Sequence, residues 1–124
     1  MFMSTVLLVN EDLGLLELLT FALNRAGLDV LPAQGAASAL RLLETGKPDL
    51  AVIDVDLGAD HGLDLLRQVR RRGPIPVIML TRAESGAGNL RGLELEADEY
   101  VSKPFSHQHF VARVKETLRR GAPP

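Results

Sequence analysis

The chain contains no cysteine, and this absence excludes disulfide bonds, thiol catalysis and metal sites with cysteine ligands. It also has no apolar run near the roughly 18 residues that a membrane-spanning helix needs. The opening segment MFMSTVLLV lacks the basic start and long apolar stretch of a signal peptide. We therefore expect a cytoplasmic protein with no membrane span, which suits a chain without thiols.

The sequence also has little net charge and lacks a glycine-rich loop after its first apolar run. The formal net charge of −2 argues against nucleic-acid binding by this segment alone, although a further domain could supply it. The missing loop argues against a free-standing flavodoxin-like enzyme. With 124 residues, 46% hydrophobic and 24% charged, the composition is that of one globular domain.

Five short apolar runs alternate with helical patterns along the chain. The runs predict strands at 5–9, 29–31, 50–53, 77–80 and 99–101, and the patterns predict helices at 12–26, 35–44, 62–72, 82–97 and 106–120. Continuous apolar runs are typical of parallel strands that helices cover on both faces. Right-handed crossovers then give an α/β fold with a doubly wound five-stranded parallel sheet.

The first two predicted helices carry recognisable signals at their ends. Asp12 is a candidate N-cap of the first helix, and Gly27 stands where a left-handed C-cap is needed. Gly46 is predicted to close the second helix. Two apolar rows predict one broad buried face on the first helix. The rows are Leu16, Leu19, Leu23 and Leu15, Leu18, Ala22.

Polar side chains follow four of the predicted strands. Asp54 ends the third strand as an acid that we expect to be exposed, while Asn10 and Glu11 follow the first strand. Thr81 follows the fourth strand and Lys103 the fifth. Ligands of open α/β sheets bind at the carboxyl ends of the strands, so these side chains are predicted to meet. A lone aspartate could simply cap a turn, and only the whole set indicates a site.

The chemistry of this set is that of phosphoryl transfer. Clustered acids bind Mg²⁺ through oxygen, and an aspartate can attack phosphorus. A hydroxyl can donate to the new phosphoryl oxygens, and an ammonium group balances their charge. Each residue type is a weak indication alone, and together they predict a phosphoryl-transfer site.

Five segments resemble, in order and spacing, the receiver domain of bacterial two-component response regulators. They are VLLVNED, PDLAVIDVDLG, PVIMLTR, GLELEADEY and VSKPF. The resemblance covers essentially the whole chain and implies the flavodoxin-like (β/α)5 receiver fold with strand order 2-1-3-4-5. We assign residues 1–120 to this domain and 121–124 to a linker stub or tail.

The resemblance implies a phosphoacceptor and a metal site. Asp54 would take a phosphoryl group from the phosphohistidine of a histidine kinase. Mg²⁺ would be bound by Glu11, Asp54 and the backbone carbonyl of Asp56, with Asn10 as a further candidate ligand. At most, the protein would catalyse its own phosphorylation and dephosphorylation.

The resemblance also implies a switch. Lys103 would pair with the phosphoryl group, and Thr81 would donate a hydrogen bond to it and draw Tyr100 inward. The alternative for Tyr100 is a half-buried strand residue without a switching role. The bond between Lys103 and Pro104 resembles a cis peptide of the family.

Several positions depart from the family pattern, among them Glu96, which replaces the usual glycine. Asn10 stands where an acid is usual, so one carboxylate is lost and Mg²⁺ affinity should fall. Arg82 replaces a small residue and could block access, pair with the phosphoryl group or face solvent. His61 lies in an unusual loop and could reach the pocket or stay solvated. An atypical receiver, which binds partners independently of phosphate, therefore remains the alternative function.

The end of the chain resembles receivers that precede a winged-helix DNA-binding domain and regulate transcription. Their active dimers use the face of the fourth helix, fifth strand and fifth helix, which suggests a homodimer here. The candidate charges on that face are Arg91, Asp98, Glu99, Arg113 and Lys115. Because exposed ion pairs contribute only about 0–1 kcal/mol, Leu90 would have to add apolar contact.

Overall fold

A five-stranded parallel sheet forms the centre of the computed structural model, which describes residues 4–57, 60–82, 98–103 and 106–121. Its strands are β1 (Thr5–Val9), β2 (Asp29–Ala33), β3 (Leu50–Asp54), β6 (Val77–Arg82) and β7 (Glu99–Lys103). They lie in the order β2-β1-β3-β6-β7. This order is the predicted 2-1-3-4-5 arrangement, so the predicted fold class is confirmed.

Helices flank this sheet. They are α1 (Leu13–Arg25), α2 (Ala36–Gly46), α3 (Gly62–Arg72) and a C-terminal helix (His107–Gly121). The helix predicted at 82–97 and the bond to Pro104 fall almost wholly outside the described residues. Among the helices of the described ranges, none is long and apolar enough to cross a membrane.

Two hydrophobic layers cover the two faces of the sheet. In β1, Val6 and Leu8 point to the layer under α1 and the C-terminal helix, while Leu7 and Val9 point to the layer under α2 and α3. Side chains of a strand alternate between faces, so a strand covered on both sides needs an apolar residue at every position. This requirement explains the continuous apolar runs in the sequence.

Helix α1 is capped as predicted, but its buried face is narrower than predicted. Asp12 accepts a hydrogen bond from the Leu15 backbone N–H at 3.1 Å, and Gly27 has a φ of 89°. Leu18, which we expected on the buried face, is 52% exposed. At about 100° per residue, Leu18 falls outside the arc that the buried residues Leu16, Leu19, Ala22 and Leu23 cover. The exposed side of α1 therefore carries large apolar side chains.

The strand and helix ends differ from the prediction at α2 and at β2, β6 and β7, and each of these strands continues two residues further than predicted. Thr81 and Lys103 therefore lie inside β6 and β7, and do not follow them as predicted. Strand β2 continues to Ala33 and includes Pro32, which a strand at the sheet edge tolerates. Helix α2 ends at Gly46, two residues later than predicted, because Lys47 and not Gly46 adopts the left-handed conformation. A Cβ on Gly46 would lie 2.3 Å from a methyl group of Leu31, so close packing explains this glycine.

The loop that follows β3 is a short hairpin, which the sequence did not predict. Strands β4 (Asp56–Leu57) and β5 (Asp60–His61) pair antiparallel directly before α3. The Gly62 backbone N–H donates to the Val55 carbonyl at 3.1 Å. The hairpin and the start of α3 are thereby held against the carboxyl end of β3.

Candidate functional site

Asp54 ends the central strand β3 and is only 2% exposed, so the expectation of an exposed acid was wrong. Strand β3 lies between β1 and β6, and the register pairs Asp54 with Leu80. Gly62, the first residue of α3, packs directly on the Asp54 backbone, where an added Cβ would lie 2.2 Å from the carbonyl oxygen. Neighbouring strands and the returning chain therefore bury this carboxylate.

Both carboxylate oxygens of Asp54 have partners within the chain. Oδ1 accepts a hydrogen bond from the Asp56 backbone N–H at 2.8 Å. Oδ2 accepts one from Asn10 Nδ2 at 3.0 Å and forms an ion pair with Lys103 Nζ. A buried charge is tolerated only when it is paired and hydrogen-bonded, and Asp54 meets both conditions.

Asn10 is held as tightly as Asp54. Asn10 is only 1% exposed. Its side-chain Oδ1 accepts a hydrogen bond from the Asp12 backbone N–H at 2.9 Å. Its backbone N–H donates to the Ala33 carbonyl at 3.0 Å, which ties the end of β1 to the end of β2. The amide therefore bridges the first turn of α1 and the carboxylate of Asp54.

Thr81 and Tyr100 lie on the two strands beyond β3. Thr81 is 2% exposed, and its hydroxyl has no hydrogen-bond partner among the described residues. Tyr100 is half-buried and its backbone lies opposite Met79 in the β6–β7 register. A buried hydroxyl without a partner is costly, which points to a ligand group that it would bind. We call Asn10, Asp54, Thr81 and Lys103 the Asp54 pocket.

The remaining predicted site residues lie at its edge. Glu11 is exposed, and so is the side chain of Asp56. The side chains of His61 and Arg82 fall outside the described residues, so their predicted roles stay predictions.

Comparison with known proteins identifies the family. Residues 6–115 match the family model described as response regulator receiver domain. The chain belongs to this family. As a receiver domain, it is part of a two-component response regulator, and the recognition made from its motifs is confirmed.

Solved structures with this fold include several receiver domains. A response regulator from Chloroflexus aurantiacus is 33% identical, with a TM-score of 0.85, and the match covers 96% of this chain and all 100% of that chain. A Francisella receiver domain is 28% identical, with a TM-score of 0.86 and coverage of 96% and 99%. A CheY-like receiver domain from Methanospirillum hungatei is 26% identical, with a TM-score of 0.88 and coverage of 97% of each chain.

Receiver domains generally bind Mg²⁺, but the residues present here do not fit the ion well. Within the described ranges, no three His, Cys, Asp or Glu side chains are grouped as metal ligands. Mg²⁺ requires oxygen ligands in near-octahedral geometry. Asn10 instead presents its N–H group to the same Asp54 oxygen that pairs with Lys103. The predicted metal ligands Glu11, Asp54 and Asp56 therefore stay a prediction.

The predicted interaction face contains charges that already have partners in the chain. Glu99 pairs with Arg113 and, at 3.2 Å, with Arg120, and we call these three residues the Glu99 cluster. Asp98 accepts hydrogen bonds from Arg70 at 2.5 Å and from the Val77 backbone N–H at 2.7 Å. The pairs of Glu99 join β7 to the C-terminal helix, and those of Asp98 join the residue before β7 to α3 and β6. The role of this face in dimerisation stays a prediction.

Lys115 and Arg91 are the other two charges predicted on that face. Lys115 is exposed on the C-terminal helix, and Arg91 lies outside the described residues.

Sequence reasoning missed two features of the site. One is the donor role of the Asn10 amide, because the sequence presents Asn10 only as a lost acid or a candidate metal ligand. The other is Gly62, whose missing side chain lets α3 begin against the Asp54 backbone. A glycine directly after a short polar loop was the available signal for that close approach.

Proposed function

We propose that this receiver domain accepts a phosphoryl group on Asp54 from the phosphohistidine of a histidine kinase and thereby controls an output. The observation that carries the proposal is the pocket itself: a buried carboxylate paired with Lys103, beside a buried Thr81 hydroxyl that has no partner among the described residues. A phosphoryl group would give that hydroxyl its acceptor.

The transfer balances with the groups of the pocket. One carboxylate oxygen of Asp54 attacks phosphorus, an O–P bond forms, and the P–N bond to the donor imidazole breaks. The electron pair of that bond stays on the imidazole nitrogen. Lys103 balances the charge on the new acyl phosphate, and Thr81 donates a hydrogen bond to one of its oxygens. The start of α3 holds the Asp54 backbone in place during the step.

The same contacts would operate the switch. A phosphoryl group adds roughly 1.5 to 2 negative charges and three strong acceptors. A shift of Thr81 toward those acceptors leaves space beside β7, where Tyr100 is half-buried. Inverting a 1:99 equilibrium requires about 5.5 kcal/mol of differential interaction, which a few charge-assisted hydrogen bonds can supply. The expected readout is an altered face of β7 and the C-terminal helix.

The wider setting is part of the same proposal. We place the protein in the cytoplasm, where a histidine kinase would phosphorylate it, and assign residues 1–120 to the domain and 121–124 to a linker stub or tail. A DNA-binding domain beyond residue 124 and a homodimer through the face that contains the Glu99 cluster would connect the switch to transcription.

Intact-mass spectrometry tests the proposal. The protein is incubated with a small phosphodonor and a high concentration of Mg²⁺, and one added phosphoryl group is expected. Asp54→Asn should remain unmodified, whereas Asp29→Asn, at an exposed aspartate on the edge strand, should be modified like wild type. An adduct that persists in Asp54→Asn would contradict the assignment.

One observation favours a second function, a receiver that binds partners independently of phosphate. Both oxygens of Asp54 are already satisfied by groups of the chain, so the pocket is stable without a phosphoryl group. If a control receiver is phosphorylated under the same conditions and this protein is not, the phosphate-independent module becomes the better description.

A further inference from the structure

The side chain of Asn10 occupies a position between two groups of opposite hydrogen-bonding character. On one side is the Asp12 backbone N–H, which can only donate, at 2.9 Å from Oδ1. On the other is the Asp54 carboxylate, which accepts from Nδ2 at 3.0 Å. The two ends of the amide are therefore distinguished by their partners, and the orientation of the amide is determined by chemistry.

Turning the amide over would break both bonds. Oδ1 would then face the Asp54 oxygen, and the NH₂ group would face the Asp12 N–H, so each contact would become repulsive. Asn10 is 1% exposed, and the lost bonds would have little water to replace them. The orientation that offers an N–H group to Asp54 is strongly preferred.

A divalent cation beside Asp54 needs the opposite arrangement. It requires an oxygen from the end of β1, and it must approach the carboxylate that already receives Nδ2 and the Lys103 ammonium. The partial positive charge of the amide N–H repels the ion, and the orientation of Asn10 withholds its oxygen. Of the acids that follow β1, Glu11 is exposed and Asp12 caps α1 through Leu15.

We propose that Asn10 acts as a built-in substitute for the cation, because its amide N–H stabilises the buried Asp54 carboxylate and lowers the affinity of the pocket for Mg²⁺. A single change, Asn10→Asp, should restore a cation site. The inference concerns the site of the proposed function and rests on that function only for its consequence in signalling. It is tested without a phosphodonor, so its failure and that of phosphoryl transfer can be told apart.

Calorimetric titration with Mg²⁺ compares wild type, Asn10→Asp and Asn24→Asp. Asn24 is exposed near the other end of α1, so Asn24→Asp adds the same charge away from the pocket. We expect Asn10→Asp to raise the Mg²⁺ association constant at least about tenfold, the lower end of changes seen when a metal's surroundings are altered. Asn24→Asp should leave it unchanged. Equal binding by wild type and Asn10→Asp would overturn the proposal.

A measurement on wild type alone covers the case in which Asn10→Asp folds poorly. An ion that binds only the folded state raises stability, so Mg²⁺ binding would move the urea midpoint upward. The proposal predicts that a Mg²⁺ concentration just sufficient to saturate a control receiver gives the same wild-type midpoint as NaCl at equal ionic strength. A clear upward shift with Mg²⁺, abolished by Asp54→Asn, would show that the native pocket binds the ion and would refute the role given to Asn10.

Discussion

The Asp54 pocket and the Glu99 cluster both pair a carboxylate with positive charge, but they differ in burial. The Asp54 side chain is 2% exposed, and its partner Lys103 is 28% exposed. The Glu99 side chain is 18% exposed, and its partners Arg113 and Arg120 are 36% and 50% exposed. Water reaches the second group much more readily than the first.

This difference determines what each pairing can do. A buried carboxylate that loses a partner keeps its charge in a poorly solvated site, so the loss is costly and the pairing can respond to a new ligand. An accessible carboxylate that loses a partner is rehydrated, and little changes. Loss of a partner should therefore disturb the pocket more than the cluster, which joins β7 and the C-terminal helix.

The largest effect is expected from disturbing the backbone under the pocket. In Gly62→Ala the new Cβ would meet the Asp54 carbonyl oxygen at 2.2 Å and the Val55 Cα at 2.8 Å. Neither backbone atom can rotate away, so we expect the free energy of unfolding to fall by on the order of 3 kcal/mol. Urea denaturation measures this fall in the free energy of unfolding.

Gly14→Ala is the matched control for that variant. Gly14 is exposed in α1, and an added Cβ there would meet only the Asp12 side chain, at 3.4 Å. Replacing a helical glycine should stabilise the protein by about 0.5–1 kcal/mol. If the two substitutions changed stability alike, close packing at Asp54 would not explain Gly62.

Removing one cation from each region tests the comparison directly. Lys103→Met leaves Asp54 buried without its charged partner and should lower the free energy of unfolding by about 2 kcal/mol. Arg113→Met leaves Glu99 partly solvated and still paired with Arg120, so the loss should be under about 1 kcal/mol. Added salt should reduce only the second effect. If urea denaturation showed the same loss of unfolding free energy in both variants, burial would not distinguish the two regions.

Two buried threonines should respond with opposite signs. Thr81→Val removes a hydroxyl that has no partner in the described part of the chain, so the unmodified protein should gain about 1 kcal/mol. Thr117 is equally buried, but its hydroxyl donates to the Arg113 carbonyl at 2.8 Å. Thr117→Val should therefore lose about 1 kcal/mol. Thermal unfolding of both variants shows whether each is stabilised or destabilised. A loss of stability in both would show that the Thr81 hydroxyl already has a hydrogen-bond partner.

The smallest effect is expected at an exposed pair near the Glu99 cluster. Hydrogen bonding from Arg119, at 2.6 Å, lowers the pKa of Glu116 below its usual value. A lowered pKa in the folded state gives a stabilisation that is present above the unfolded pKa and is lost as the pH falls through the folded pKa. A carboxyl NMR titration should show the pKa of Glu116 rising in Arg119→Met. An unchanged titration curve would mean that the contact does not persist in solution.

The sheet could be predicted from the sequence because its strands are covered on both faces. That coverage requires continuous apolar runs, and residues 6–9, 50–53 and 77–80 show them plainly. The ends of β2 and β7 were harder to predict, since Pro32 and Lys103 are unusual strand residues. They belong to the strands because they pair with residues of the neighbouring strand. Helix α1 was predicted correctly except for the exposure of Leu18.

The sequence predicts which residues lie together at this edge of the sheet, but not the contacts that they make. Parallel strands bring their carboxyl ends together, which was enough to expect Asn10, Asp54 and Lys103 at one edge of the sheet. The packing of α3 on the Asp54 backbone depends on how closely Gly62 approaches it, and the role of Asn10 depends on the direction of one amide. Both are properties of the folded structure that cannot be read from the order of residues in the sequence.

The strand order has a consequence for how the protein reaches its native state. The contacts of Asp54 with Asn10, directly after β1, and with Lys103, at the end of β7, join residues that are 44 and 49 positions apart. Such contacts close long loops and form late in folding, after local helices and hairpins. A nascent chain that has not yet placed β7 carries Asp54 without its counter-charge. Completion of the pocket therefore coincides with completion of the fold.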